Sequence, residues 1–209
     1  MKNELVAEKI FNNIYAAVNG TEISTTERQK LNLRNSSLTY GEINFEAMQA
    51  IVSALGETAG KNFYDLGAGT GKAVILAALL ANFKKTVGIE LLPALYQAAE
   101  VARKKLVLQM AQEPRDQTAV NKTTAEVLFI RDNIFWADFS EADVVLVSTT
   151  CFDERMMEML KRRLTMLRPG SLVITVSQSL HSGYYDIIGR FKINLKWGEA
   201  TVFIHKKIY

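Results

Sequence analysis

From Lys61 onward the chain alternates short aliphatic runs with longer helical stretches, and this rhythm limits the fold more than any other feature. Residues 63–66, 86–90, 127–131, 144–147 and 172–176 read as strands. Between them lie an apolar helix over 73–83, a helix opened by Pro93, and a helix capped by Asp153 that runs to Leu167. Leu95, Ala98, Ala102, Leu106 and Met110 carry the second of these; Arg168-Pro169-Gly170 ends the third. Residues 113–124 are polar and read as a loop. Strands rich in Val, Ile and Leu between helices predict a parallel sheet covered on both faces. The tail breaks the rhythm. Phe191, Ile193, Leu195 and Trp197 alternate with Lys192, Asn194 and Lys196, the pattern of a half-buried strand. Gly198-Glu199 is expected to turn the chain, and residues 201–205 to return as an antiparallel partner.

Upstream, Val6, Ile10, Ile14 and Val18 recur at helical spacing, and Asn19-Gly20 is expected to stop that helix. Ser24-Thr25-Thr26-Glu27 fits a capping box for a short second helix. Residues 34–42 read as loop, and Phe45, Met48, Val52 and Leu55 as an amphipathic helix ending near Gly56. This divides the chain into an N-terminal helical extension, 1–58, and an α/β domain, 59–209. With 48% hydrophobic and 22% charged residues, its core needs neither disulfides nor metal. The single cysteine, Cys151, excludes an internal disulfide and favours a reducing compartment. The first residues carry mixed charges with no apolar segment after them. The longest apolar run, 73–81, is about half of a membrane span. A soluble, cytoplasmic protein is expected. The net charge of +3 is spread along the chain, so a nucleic-acid surface is not supported, and no His/Cys/Asp spacing suggests a metal site.

"F-Y-D-L-G-A-G-T-G-K-A-V", residues 63–74, places glycines at every second position after the first strand. Three ligands can be weighed for such a loop. A triphosphate loop needs G-x-x-x-x-G-K-[ST], but its opening glycine falls on Leu66 and Ala73 replaces the metal-binding hydroxyl. A dinucleotide loop needs G-x-G-x-x-G, but the third glycine position falls on Lys72, and Asp65 would stand beside a pyrophosphate. S-adenosylmethionine carries a sulfonium, an ammonium and one carboxylate, but no phosphate. Asp65 can accept from the ammonium, directly or through water, and the next helix N-terminus favours the carboxylate. Glu90, at the end of the second strand, can take both ribose hydroxyls; Asp132, after the third, can accept from the adenine amino group.

"D-L-G-A-G-T-G", "G-I-E" and "L-R-P-G-S-L-V-I" resemble the class I S-adenosylmethionine-dependent methyltransferases over residues 61–209. The resemblance implies a Rossmann-like fold with a seven-stranded, mostly parallel sheet, an antiparallel C-terminal hairpin and preceding helices. A narrower likeness joins "L-T-Y-G-E-I-N-F", residues 38–45, to this loop. Y-G-E, a short helix, then F-x-D-L-G-x-G-x-G resembles the disruptor-of-telomeric-silencing family, the non-SET histone lysine methyltransferases. That resemblance implies that Tyr40, Gly41, Glu42 and Ile43 fold over the cofactor. It places Asp65, Gly67, Gly69, Thr70, Gly71 and Lys72 around the methionine portion, Glu90 on the ribose, and Asp132 with Asn133 at the adenine. Ile43 departs from the family's hydroxyl residue and Asn133 from its phenylalanine, so Ile134, Phe135 or Trp136 would pack on the base. Where the family has N-N-F-x-F, this chain has Ser148-Thr149-Thr150-Cys151-Phe152. Ser148, Thr149, Thr150 and Phe152 follow the fourth strand and are expected to face the transferring methyl, with Ser148, Thr149 and Phe152 as the expected substrate contacts.

The activity implied is N-methylation of a protein lysine by S-adenosylmethionine. Alternatives are a methyltransferase acting on a small molecule or RNA, and a silent adaptor that binds the donor. In-line methyl transfer asks for alignment and exclusion of water rather than a dedicated base, so no catalytic residue is assigned. His181 and His205, the two histidines, read as structural, and Cys151 has no neighbour in sequence that would lower its pKa.

Overall fold

The computed structural model describes residues 2–33, 40–112 and 125–209. The N-terminal helices are set by their caps. Helix α1 spans Lys2–Tyr15 and α2 spans Gly20–Lys30. Asn19 does not stop the first helix but starts the second, its side chain accepting from the Glu22 N–H. The expected capping box is therefore interior to α2: Ser24 is buried, and Glu27 reaches instead to the N-terminus of a later helix. Helix α3, Phe45–Ala54, is capped by Asn44, which accepts from the Ala47 N–H.

The strands are β1 (Asn62–Leu66), β2 (Lys85–Glu90), β3 (Glu126–Arg131), β4 (Val144–Ser148), β5 (Leu172–Val176), β6 (Tyr185–Leu195) and β7 (Gly198–Lys207). Between them come α4 (Lys72–Leu80), α5 (Pro93–Gln112) and α6 (Glu154–Leu164). Pro93 opens α5 as expected. The Glu27 carboxylate then accepts from the Ala94 N–H at 2.8 Å, occupying a donor that the helix itself cannot use. Asp153 caps α6, accepting from the Met156 N–H at 2.8 Å.

One seven-stranded sheet results, in the order β3-β2-β1-β4-β5-β7-β6. Strands β1 to β5 are parallel; β7 runs antiparallel between β5 and β6. The hairpin is longer than expected and turns earlier. Leu195 pairs with Gly198, so Lys196 and Trp197 form the two-residue turn and Gly198-Glu199 already belong to β7. Gly198 has φ of +136°, a value that a side chain at the turn exit would resist. The polar stretch 113–124 and most of the expected 34–42 loop lie outside the described residues.

Two apolar layers cover the sheet. One joins α1, α3 and α4 to Phe63, Leu146, Ile174, Val202 and Ile204; the other joins α6 to Tyr64, Val87, Val145 and Val173. Residues alternate between layers along each strand, which pins the register. The order reverses between β1 and β4, both flanking the C-terminal rim where ligands of such sheets bind. Among the described residues no helix is long and apolar enough to cross a membrane.

Candidate functional site

The turn after β1 is held open by its own backbone. Gly67 and Ala68 N–H donate to the Ile89 carbonyl at 2.9 and 3.0 Å, and Gly71 N–H donates to the Ala68 carbonyl at 2.8 Å. Gly69 N–H donates to a Glu90 carboxylate oxygen at 2.8 Å. Thr70 N–H points to the Tyr40 hydroxyl at 3.4 Å. Gly69 and Gly71 have φ of +56° and +84°. A Cβ on Gly69 would stand 2.5 Å from the Tyr40 ring, and one on Gly71 would strike Phe129. Glycine is required here because side chains of this same chain press on the turn.

The segment before α3 lies across that turn through Tyr40 and Glu42. The Tyr40 hydroxyl donates to Glu42 Oε1 at 2.6 Å and is 2.9 Å from Thr70 Oγ1. Glu42 Oε2 receives the Lys72 ammonium at 2.6 Å, both side chains being largely buried. Tyr15, which gave no sequence signal beyond the apolar face of α1, completes the cluster. Its hydroxyl donates to the Thr70 carbonyl at 3.0 Å, and its ring lies 5.3 Å from Lys72 Nζ. Burial, with Glu42 next, pushes the Tyr40 phenol well above its usual range, so this hydroxyl stays a donor.

Asp65 and Glu90 are 7% and 6% exposed. Burial first, and the Glu90 charge second, push the Asp65 carboxyl up to about 7. Burial also raises Glu90, although N–H groups of Leu92, Gly69 and Leu91 oppose it. Glu90 Oε1 accepts from Leu92 N–H at 2.7 Å. Among the described residues no protein donor makes a hydrogen bond to the Asp65 carboxylate.

A cavity of about 660 Å³ opens beside these groups. Tyr40, Gly41, Gly67, Glu90, Asn133, Ser148 and Phe152 line it, as do Ile134 and Phe135. Asp65, Gly69, Thr70, Gly71 and Lys72 stand behind that wall, in or under the turn. Ile43, next to the Asn44 cap, packs into the core rather than lining the cavity. Asp132 is also set back, accepting from the Asn133 N–H at 2.7 Å. Trp136 is 78% exposed, so of the aromatics expected at the base it is Phe135 that faces the cavity.

Thr149 does not face the cavity as expected. It is fully buried, and its hydroxyl donates to the Val176 carbonyl at 2.7 Å. Thr150 and Cys151 take its place in the wall. Sequence reasoning also missed Leu92, Met156, Met159 and Trp197, which line the cavity from the entry to α5, from α6 and from the hairpin tip. Helical spacing in α6 was the available signal for the methionines. His205 is buried beside Thr175, its Nε2 3.2 Å from that hydroxyl, and burial lowers its pKa to about 4. It is structural.

A Kluyveromyces lactis histone-lysine N-methyltransferase, H3 lysine-79 specific, is 25% identical over 71% of this chain and 26% of its own length. A protein-lysine N-methyltransferase of Saccharolobus islandicus is 33% identical over 54% of this chain and 59% of that protein. The chain thus spans about a quarter of the yeast relative. An RNA methyltransferase from Salinibacter ruber, solved with S-adenosyl-L-homocysteine, superposes with a TM-score of 0.58 at 22% identity, covering 80% of this chain and 94% of that one. This last likeness concerns the fold. Residues 22–193 match the model of the histone methylation protein DOT1, and the chain belongs to that family.

Proposed function

We propose that this chain is an S-adenosylmethionine-dependent methyltransferase that N-methylates a protein lysine. One observation supports the donor above all: from Gly67 to Gly71 every N–H of the glycine turn already points to an acceptor within the protein. Within the turn itself no N–H is left for a phosphate, so only the N-terminus of α4 remains, enough for the donor's single carboxylate, and the carboxylates of Asp65 and Glu90 lie beside it. Lys72, the one cation of this cluster among the described residues, is neutralised by Glu42. Asp65, desolvated and without a donor among the described residues, fits an ammonium. Glu90, with lone-pair capacity left beside its bonds from backbone N–H groups, fits ribose hydroxyls.

When bound, the donor supplies an electrophilic methyl group on a sulfonium. The residues do the rest. In this reading Tyr40 and Gly41, within the 1–58 extension, cover the donor over the 59–209 domain, with Glu42 holding Tyr40 and Lys72 behind them, while Asp65, the turn and Glu90 orient it. Asn133 and Phe135 receive the base, with Asp132 behind them. Phe152, Met156, Met159 and Trp197 form an apolar acceptor wall. Such a wall favours the neutral amine, whose lone pair is the nucleophile, over the ammonium. The chemistry that bound S-adenosylmethionine would supply is transfer of its methyl to the amine, whose proton would pass to water, with the donor left as a thioether. The free, half-buried Cys151 fits a cytoplasmic setting.

Calorimetry with S-adenosylmethionine and with NAD, followed by incubation with the tritiated donor and protein, RNA and metabolite fractions, tests this. The expected result is binding of the first ligand alone and label on protein lysine. Label confined to RNA or metabolites would overturn the acceptor. Binding without transfer would make the chain an adaptor, and NAD binding would overturn the site.

A further inference from the structure

The loop after β4, residues 148–152, forms the acceptor side of the cavity, yet it is held from the end of β5. Gln178 Nε2 donates to two carbonyls of the loop, Thr149 at 2.7 Å and Phe152 at 2.9 Å. Its backbone N–H donates to Thr149 Oγ1 at 3.2 Å. Beside it, Ser177 Oγ and Thr150 Oγ1 are 2.7 Å apart. Ser177 has φ of +81°, a left-handed backbone conformation that a serine rarely adopts. Its N–H, bonded to the Thr201 carbonyl at 2.8 Å, keeps it there. The strained residue thus aims both its own hydroxyl and the next side chain at the loop. None of these bonds reaches the glycine turn, Glu90 or the Tyr40 segment.

We propose that Gln178 is a positioning residue for methyl transfer: its one amide staples the loop at Thr149 and Phe152 and so fixes the acceptor wall. The inference rests on the function proposed above. Thr150, Cys151 and Phe152 line the cavity along the stapled stretch. The Phe152 ring lies 6.3 Å from that of Phe135, so the loop also sets the gap between acceptor wall and base-binding face. A displacement of about 1 Å between reacting groups costs on the order of 100-fold in rate, whereas donor affinity does not depend on this wall.

Gln178→Met keeps the length and removes both donors; Gln178→Glu turns a donor toward the carbonyls into an acceptor. Cys151, the only cysteine, reports the loop directly through its rate of labelling by N-ethylmaleimide. Polylysine with tritiated donor reports turnover, and S-adenosylhomocysteine calorimetry reports the donor site. In Gln178→Met we expect thiol labelling several-fold faster, kcat on polylysine lower by about 10-fold or more, and S-adenosylhomocysteine affinity within about 2-fold of the parent, with Gln178→Glu worse on the first two. Unchanged labelling and turnover would overturn the proposal. So would a loss of S-adenosylhomocysteine affinity matching the loss of turnover, which marks general structural damage. If the parent protein leaves polylysine unlabelled, the lysine reading falls, and the Cys151 rate alone then decides whether Gln178 holds the wall.

Discussion

Replacing Asp65 with asparagine should shift the stability of the ligand-free protein in the variant's favour as pH rises. The carboxyl is buried, and burial together with Glu90 lifts it from about 3.8 to about 7. Between those values the folded protein holds a proton that the unfolded chain has released. Unfolding therefore loses protons in that window, and stability falls as pH rises from about 4 to 7, then levels off with respect to this group. A rise of about 3 in pKa corresponds to about 4 kcal/mol as an upper bound, since each unit is worth about 1.4 kcal/mol. The asparagine of the variant carries no titrating proton. Its amide adds a cost of its own for unpartnered N–H groups, about 1–3 kcal/mol, but that cost does not vary with pH. The quantity to measure is thus the difference in melting temperature between Asp65→Asn and parent, followed from about pH 4.5 to 8 in matched ionic strength. For a chain of this size about 1 kcal/mol moves the midpoint by roughly 2–4 °C, so the difference should shift by about 10 °C in favour of the variant. A difference that stays flat, or that turns against the variant at high pH, would refute the claim that Asp65 is held uncompensated. The physical meaning is that the fold stores an electrostatic penalty which a cationic ligand relieves.

Two further outcomes follow from the same turn. Gly71→Ala places a methyl group at φ of +84° and against the Phe129 ring, so strain and overpacking together should cost about 2–5 kcal/mol; thermal unfolding within about 2 °C of the parent would contradict this. Tyr40→Phe removes the bonds to Glu42 and Thr70, and should weaken S-adenosylhomocysteine binding about 10-fold by calorimetry while moving the melting midpoint little; unchanged affinity would show that this segment does not cover the donor.

The sheet was legible because its signal is local. Buried parallel strands read as aliphatic runs, and the starts of α5 and α6 carried their own marks, Pro93 and Asp153. Errors came where a side chain had two possible partners. Glu27 fits a local capping box, yet it bonds Ala94 across 67 residues of sequence, and Asn19 looks like a helix stop while serving as a helix start. The hairpin was placed in the right segment but turned at Lys196-Trp197, because Gly198 reads equally well as a turn centre or a turn exit. On the donor side Glu90 and the glycines could be read from spacing, since they follow strand ends. On the acceptor side Thr149 could not. Its hydroxyl is claimed by the carbonyl of Val176, at the end of the next strand, a side-chain partner that no local pattern marks. Gln178 and Tyr15 were silent for the same reason.

The glycine motif itself acquires a different explanation from the one its spacing suggests. In phosphate-binding loops glycine lets backbone N–H groups converge on an anion. Here those groups are committed to Ile89, Glu90, Ala68 and Tyr40, and the absent side chains make room for Tyr40 above Gly69 and Phe129 beside Gly71. Gly67 differs: nothing described in the protein lies within 4 Å of where its Cβ would stand, and it lines the cavity. Of the three glycines, then, two accommodate the protein and one leaves backbone open to a ligand. That division explains why the turn tolerates two buried carboxylates beside it. With the N–H groups of residues 67–71 spent and the Lys72 ammonium paired to Glu42, the turn offers an anion only the N-terminus of α4, while the carboxylates of Asp65 and Glu90 stand beside it. In the reading proposed above these hydrogen bonds set a preference for a cation over a pyrophosphate, although the glycine motif is shared in outline with folds of the opposite preference.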